Sequence, residues 1–461
     1  MAGRTLFDKI WDTHVVANLG DGFSLLHVDR HLVSDPGSKA LAALRLRGHV
    51  VRNPELTFAT PDHTVSTAPG RTGHTANALR YLKDLRHETQ AQGIRLFDLG
   101  QAGQGIVHVV GPELGLTLPG ASIVCSDSHT CTHGALGALA FGIGATEFQH
   151  VAATQTIVLQ RPRQMRIWFD GVLQQGASAK DLILHTIARL GATGASGCAV
   201  EYAGPAIDAL DMEARMTVCN LSVEMGGRFG IIAPDARTVD YLRGRPYAPV
   251  GALWEQAVAQ WRELRGDDDA VFDREVRIDA SGIGPQITWG VSPQDVLGVG
   301  DVVPAPAGPT QQAALDFMGL RAGDPIAGTP VDWVFIGSCT NARISDLRLA
   351  AAVVRGRRVA PGVKAWVVPG SELVKRAAED EGLDQVFRDA GFEWRESGCS
   401  LCVAGNGEAV PPGQRAVSTS NRNFVGRQGP GARTHLASPQ MAAAAAIAGC
   451  IVDHRTLETR A

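Results

Sequence analysis

Aromatic residues make up only 6% of this 461-residue chain, and no apolar run reaches the roughly 20 residues that a membrane-crossing helix requires. The longest apolar block, residues 441–452, is alanine-rich and short. The opening stretch, Met1-Ala-Gly-Arg-Thr-Leu-Phe-Asp-Lys-Ile, has no apolar core of signal-peptide length. A cytoplasmic protein without a membrane partner is expected. A basic surplus is also lacking. With a net charge of −4 and an isoelectric point near 6.4, the chain carries no electrostatic footprint for nucleic acid or an anionic lipid surface. No second paired Cys/His set stands at zinc-finger or zinc-ribbon spacing, which argues against a closed structural zinc. Without an export signal, disulfides among the eight cysteines are not expected, and Cys125, Cys131, Cys198, Cys219 and Cys450 read as small core residues. The sequence holds no internal repeat and no low-complexity tail.

Glycine, by contrast, is abundant at 53 residues, and the 44% hydrophobic and 20% charged content is ordinary for a globular protein. This composition suits an α/β fold with many tight turns, and the length suggests about three domains at roughly 150 residues each. Residues 1–163 read as a first α/β unit, with strands near 23–28 and 122–125 and helices over 75–85 and 135–151. Residues 164–285 read as a second, with a strand at 165–169, a helix over 178–190 capped by Ser178, and a helix over 217–227. Residues 286–330 contain a Pro/Ala/Gly-rich linker, and residues 331–461 form a third unit.

Chemistry-bearing residues gather in a few loops. Ala59-Thr-Pro-Asp62-His63-Thr-Val65 and Cys125-Ser-Asp127-Ser128-His129-Thr130 each set an acid next to, or two before, a histidine. Turn chemistry and helix capping explain such pairs equally well in isolation. His108 lies in an apolar run and reads as either a core residue or a site residue, while Asn220 and Glu224 share one face of the expected helix as a surface pair or a site pair. Cys339 follows a buried-strand pattern and leads toward a helical one, where a helix dipole favours thiolate. Cys399 and Cys402 lie sixty residues further on in a Gly-bounded loop. Three thiolates suit a metal centre with one open corner, although Cys-x-x-Cys alone leaves redox, zinc and iron–sulfur roles open. Finally, Ser418-Thr-Ser-Asn421-Arg422-Asn423-Phe-Val-Gly-Arg427 offers two guanidinium groups, which recognise carboxylates bidentately, unless it is simply a solvated basic loop.

Together with Gly105-Ile-Val-His108, Thr132-His-Gly134, Thr288-Trp-Gly290, Phe335-Ile-Gly-Ser-Cys-Thr-Asn341 and Ser397-Gly-Cys-Ser-Leu-Cys402, these stretches resemble the aconitase superfamily. Within it they are most similar to the large subunits of isopropylmalate dehydratases, in order and spacing from near residue 5 to near residue 453. The resemblance implies three aconitase-like α/β domains packed around a central iron–sulfur cleft. It implies that Cys339, Cys399 and Cys402 hold one 4Fe–4S cluster with an open iron. Asp62, His63, His108, Asp127, His129 and Glu224 would be catalytic, with Asn220, Ser128, Asn421, Arg422 and Arg427 binding substrate. The implied reaction is a hydro-lyase isomerisation of 2- and 3-isopropylmalate through isopropylmaleate, in leucine biosynthesis. Hydroxide leaves poorly, so the reaction needs a Lewis acid and a proton donor, here Asp62-His63, while the arginines stabilise charge building on a carboxylate. The superfamily's base, a serine in a Gly-x-Ser-Arg type loop on a swivelling domain, has no counterpart here, so a small-subunit partner is expected.

Two departures bear on the substrate. Where the family carries a Gln facing substrate this chain has Ala40 with Lys39 beside it, and Ser126 replaces a usual glycine. They leave room for a paralogous acid such as methylmalate/citraconate or dimethylmalate. An aconitase-like RNA-binding regulator is disfavoured by the acidic balance.

Overall fold

Short, wholly buried apolar runs set the frame. In the computed structural model, which describes residues 3–457, Ser122–Cys125 and Trp333–Ile336 are buried at every residue, as strands of parallel sheets covered on both faces are. By internal contacts the chain divides into two units. One comprises the chain up to Asp62, Leu79–Val172 and Thr193–Asp279, and the other comprises His63–Ala78, Leu173–Ala192 and the chain from Ala280 onward.

In the first unit, five parallel strands run in the order Arg95–Leu96, Thr57–Ala59, Arg30–Val33, Ser122–Cys125 and Leu139–Gly142. A four-stranded parallel sheet follows the order Phe229–Ile231, Cys198–Ala203, Arg163–Asp170 and Arg274–Asp279. A third sheet is an antiparallel set of Val15–Gly20, Phe23–His27 and Thr156–Gln160. Trp11, Phe141, Phe148 and Phe229 anchor the core between these elements. Three adjacent strands of the first sheet end at Val33, Ala59 and Cys125, so the loops after them, carrying Asp35, Asp62 and Asp127, leave one edge together. The carboxyl ends of parallel strands are where α/β folds build sites.

The second unit repeats the device. Its parallel strands run Glu393–Trp394, Lys364–Val367, Trp333–Ile336, Arg415–Ser418 and Arg433–Leu436. Cys339 follows the central strand, Asn421 and Arg422 follow its neighbour, and Cys399 and Cys402 follow the edge strand. An antiparallel pair, Gln286–Thr288 with Val296–Gly298, completes the regular sheet structure among the described residues.

Most expected elements are present, including the helix Ala179–Leu190 with a capping box at Ser178. Three expectations change. The helix expected over 135–151 is a 3-10 turn, the strand Leu139–Gly142 and only then the helix Ala145–Thr154. Gly137, in the left-handed region at φ 80°, ends the turn, and Gly142 lets the backbone of Asp127 close in, since a Cβ there would sit 2.6 Å from the Asp127 carbonyl oxygen. The helix expected over 217–227 ends at Asn220 and passes into a 3-10 turn, Leu221–Met225, so Asn220 and Glu224 do not share one α-helical face. Cys339 is not at a helix start, because the following helix begins at Ile344 behind the cap Arg343.

His31 lies in the middle strand of the first sheet, wholly buried, with neither ring nitrogen hydrogen-bonded among the described residues and its ring 4.1 Å from that of Phe148. Burial pushes its pKa down to about 3. The unfolded chain therefore binds this proton first, and stability present above pH 6.5 is lost as pH falls toward 3. We expect His31→Leu to gain on the wild-type chain by about 1.4 kcal/mol for each pH unit across that window, measured by urea unfolding at stepped pH.

Candidate active site

In the first unit, the three strand-end loops feed one hydrogen-bonded chain. The Asp62 backbone N–H donates to Asp35 Oδ1 at 2.9 Å, and Asp62 Oδ2 accepts from the Val107 backbone N–H at 3.0 Å. This wholly buried carboxylate thus rests on the first turn of the helix Val107–Glu113, where free N–H groups favour negative charge. His108 projects from the same helix. Its Nε2 lies 2.9 Å from Asp127 Oδ1, and its Nδ1 lies 3.0 Å from His133 Nε2. His133 Nδ1 in turn meets Thr117 Oγ1 at 2.6 Å. A carboxylate only accepts. With Asp127 ionised, His108 donates from Nε2, and a neutral ring then accepts at Nδ1 from His133 Nε2–H, whose own Nδ1 accepts from the Thr117 hydroxyl. One tautomer at each ring satisfies the whole chain.

Asp127 also caps its own turn. Its Oδ1 accepts from the His129 backbone N–H at 2.7 Å and lies 3.5 Å from His129 Nδ1. His129 Nε2 meets Glu224 Oε1 at 2.8 Å, so both ring nitrogens of His129 face carboxylate oxygens. Asn220, wholly buried, donates from Nδ2 to Thr132 Oγ1 at 2.8 Å and thereby steadies the turn that carries His129. Ser128 is exposed and lines a cavity of about 490 Å³ with Ser126, Asp127 and Arg228. Lys39 does not stand in for an inward amide: it is exposed, with its ammonium 4.6 Å from the centroid of the Tyr81 ring. Ala40 is buried, and the Ser126 hydroxyl has no hydrogen-bond partner among the described residues.

In the second unit, Cys339, Cys399 and Cys402 are all buried, each 5–6% exposed. Asn421 links two of them: its Nδ2 donates to Cys339 Sγ at 3.4 Å, and its Oδ1 lies 3.6 Å from Cys402 Sγ. The Ser338 hydroxyl donates to Cys402 Sγ at 3.1 Å. Cys399 Sγ lies within 4.8 Å of a ring nitrogen of His63. Hydrogen-bond donors reach Cys339 and Cys402, and three buried sulfurs fit an iron–sulfur group held by three protein ligands. The backbone is strained where the thiols are delivered: Ser338 has φ 81°, Ser400 φ 49° and Ala404 φ 52°. Arg422 and Arg427 are half-buried, and the Arg427 guanidinium has no hydrogen-bond acceptor among the described residues, lying only 5.6 Å from the Phe424 ring.

Sequence reasoning missed the residues that hold these groups in place. His133 and Thr117 orient His108, and only His133 lies in a recognisable motif. Glu408 is the larger omission. Its two oxygens accept from Thr67 N (2.7 Å), Thr67 Oγ1 (2.7 Å), Ser400 Oγ (2.6 Å) and Arg395 Nη2 (2.8 Å). It thereby pins the Cys399–Cys402 turn through Ser400. Burial opposes its ionisation, but the Arg395 guanidinium and the hydroxyls outweigh that and hold its carboxyl below the ordinary glutamate value. Nothing local to residue 408 signals this, because the partners come from residues 67, 395 and 400.

Residues 8–449 match the model of the aconitase family (aconitate hydratase). The chain is 65% identical to the 3-isopropylmalate dehydratase large subunit 1 of Bradyrhizobium diazoefficiens, over 99% of this chain and 97% of that protein.

Replacing Glu408 by Gln leaves Arg395, only 4% exposed, with the more exposed Glu393 as its remaining counter-ion. We expect a loss of about 2 kcal/mol in urea unfolding, the scale of charge-assisted hydrogen bonds lost from a buried group. The wild-type advantage should be full above pH 4.5 and fade as pH falls through the lower folded-state value, so the two chains converge in acid.

Proposed function

The chain belongs to the aconitase family, and on that premise we propose that it works as the large subunit of a 3-isopropylmalate dehydratase. It is a hydro-lyase that interconverts 2- and 3-isopropylmalate through isopropylmaleate, a step of leucine biosynthesis, with the cytoplasm as its compartment and a small subunit as its partner. The observation that carries the reading is the loop after Ser418: Asn421 touches two sulfurs, and six residues on stands Arg427, a guanidinium with no protein acceptor among the described residues. Such a cation asks for an anionic ligand, and a small dicarboxylate supplies one.

Cys339, Cys399 and Cys402 would hold one 4Fe–4S cluster, which supplies a Lewis-acidic iron for the leaving hydroxyl. Arg427 and Arg422 bind the substrate carboxylates and stabilise the charge that builds there as the neighbouring C–H bond breaks. His63, with its ring near Cys399 Sγ, gives its proton to the departing hydroxyl. Asp127 and His133 together fix the tautomer of His108, and Glu224 and Asp127 hold the ring of His129 in place. The base that takes the carbon proton belongs to the small subunit.

Anaerobic co-purification with the small subunit tests this. Wild-type protein should hold about four irons per chain, and Ser at position 339, 399 or 402 should abolish that content. Turnover, followed by the ultraviolet absorbance of the unsaturated diacid, should need both subunits and should favour isopropylmalate over methylmalate. Full turnover by the isolated chain would sink the proposal. Arg427→Lys should lower kcat/KM by roughly 10- to 100-fold, the worth of one charged bidentate contact.

A further inference from the structure

Lys180 occupies an unusual position for a lysine. It lies in the first turn of the helix Ala179–Leu190 and is wholly inaccessible to solvent. The positive end of a helix is the wrong place for a cation, and burial of an ammonium without a carboxylate partner costs several kcal/mol in ordinary surroundings. No carboxylate lies within ion-pair distance of its Nζ among the described residues. Instead Nζ donates to two backbone carbonyls, Thr419 at 2.9 Å and Ser420 at 2.6 Å. An ammonium has three donors, so one of them has no acceptor among the described residues.

The surroundings say what the charge is for. Burial pushes its pKa down to about 7, and the groups that pull it back up are, in order, Asp346, the sulfurs of Cys402 and Cys339, and Asp181. Asp346 is committed elsewhere: its carboxylate accepts from Asn341 Nδ2 at 2.9 Å and from the Arg343 backbone N–H at 3.0 Å. Asp181 is occupied by Ser178 and by the Gln286 backbone N–H. The negative groups that act on this ammonium thus include the sulfurs of two of the three cysteines, Cys402 and Cys339. The two carbonyls held by Lys180 also belong to the residues immediately before Asn421, the amide that touches both sulfurs.

We infer that Lys180 is a positioning residue for the sulfur-bound group: its ammonium fixes the carbonyls of Thr419 and Ser420, so that Asn421 reaches Cys339 and Cys402, and its charge offsets the negative charge of the thiolates and of the cluster they hold. The inference rests on the iron–sulfur reading above and adds a residue outside the ligand set. Charge and hydrogen bonds near the sulfurs are the protein's means of tuning such a cluster's reduction potential. A buried positive charge favours the more reduced form. Lys180 therefore raises the potential of the couple in which one electron from a reductant such as dithionite converts [4Fe–4S]2+ to [4Fe–4S]+. The dehydration itself transfers no electron, and the consequence for the enzyme is retention of the cluster.

The test uses full-length wild type, Lys180→Gln, which keeps a neutral donor, and Lys180→Met, which keeps only the volume. Each chain is loaded with iron and sulfide anaerobically. Iron content, the reduction potential followed by electron paramagnetic resonance, and the lifetime of the visible absorbance in air are measured. Both variants should fold, should show a potential more negative than wild type, and should lose the cluster in air at least several-fold faster. Gln should retain Asn421-dependent loading better than Met. An unchanged or more positive potential with an unchanged lifetime overturns the inference. Variants that fail to fold overturn it too, because Lys180 is then a strut of the fold. If wild type takes up no cluster, the iron–sulfur reading itself fails, and that result is distinct from the others.

Discussion

One amide between two sulfurs constrains the second unit more than any other contact. Asn421 reaches Cys339 Sγ and Cys402 Sγ from a loop eighty-two residues beyond the first and nineteen beyond the second. For that to happen, three parallel strands must deliver their carboxyl ends to one edge, in register, with little slack. Trp333–Ile336 pairs with Arg415–Ser418 over Trp333↔Ala416, Val334↔Val417 and Phe335↔Ser418, which fixes where Cys339 and Asn421 emerge relative to each other. Since strand side chains alternate between faces, a slip of one residue would move both groups off the site. The sheet is thus part of the chemistry, and its wholly buried Val334-Phe335-Ile336 run is what holds the register.

Strain at this edge is matched by polar anchoring. Ser338 and Ser400 hold left-handed backbone conformations that non-glycine residues adopt at a cost of order 1–3 kcal/mol each. Glycine would remove that cost and, with it, the reason for the conformation. The Ser338 hydroxyl donates to Cys402 Sγ, and the Ser400 hydroxyl donates to Glu408. Ser338 thus ties the turn before Cys339 to Cys402, and Ser400 ties the Cys399–Cys402 turn to Glu408. Glu408 then passes the constraint to Thr67 and to Arg395, whose guanidinium also packs 3.7 Å from the Trp366 ring centroid. A packed indole, a buried ion pair and two hydroxyls hold one turn, so the cysteines are presented by a rigid frame.

How much of this was legible beforehand follows from where each signal resides. The cysteines, Asp127-Ser-His129 and the arginine loop are short, contiguous and rich in uncommon residue types, so they stand out in a single sequence. The α/β class is visible in the buried runs and the glycine content. What could not be read is long-range: Glu408 next to Thr67, Lys180 under Thr419 and Ser420, and Thr117 behind His133 are ordinary residues whose importance comes from partners that folding brings to them. The errors in local structure have the same origin. Residues 135–151 carry good helical periodicity, yet Leu139–Gly142 gains more as a strand beside Ser122–Cys125, where propensity yields to pairing and to the close approach that Gly142 permits.

Burial divides the polar residues of the two units into those that define geometry and those that await a ligand. In the first unit the chain from Thr117 through His133, His108 and Asp127 to His129 and Glu224 assigns a partner at every step, so His108 and His133 are each held in one tautomer and the His129 ring is fixed between two carboxylates before any substrate arrives. Preorganisation of this kind removes the reorganisation that a solvated imidazole would undergo during proton transfer. In the second unit the opposite sign of incompleteness appears: a guanidinium at Arg427 has no acceptor among the described residues, and Lys180 has one donor more than it has carbonyls. Buried cationic groups with donors to spare are costly in an empty fold and favourable once anions arrive. A chain with this pattern has its acid–base groups settled in advance and leaves its electrostatic balance to be completed by what it binds.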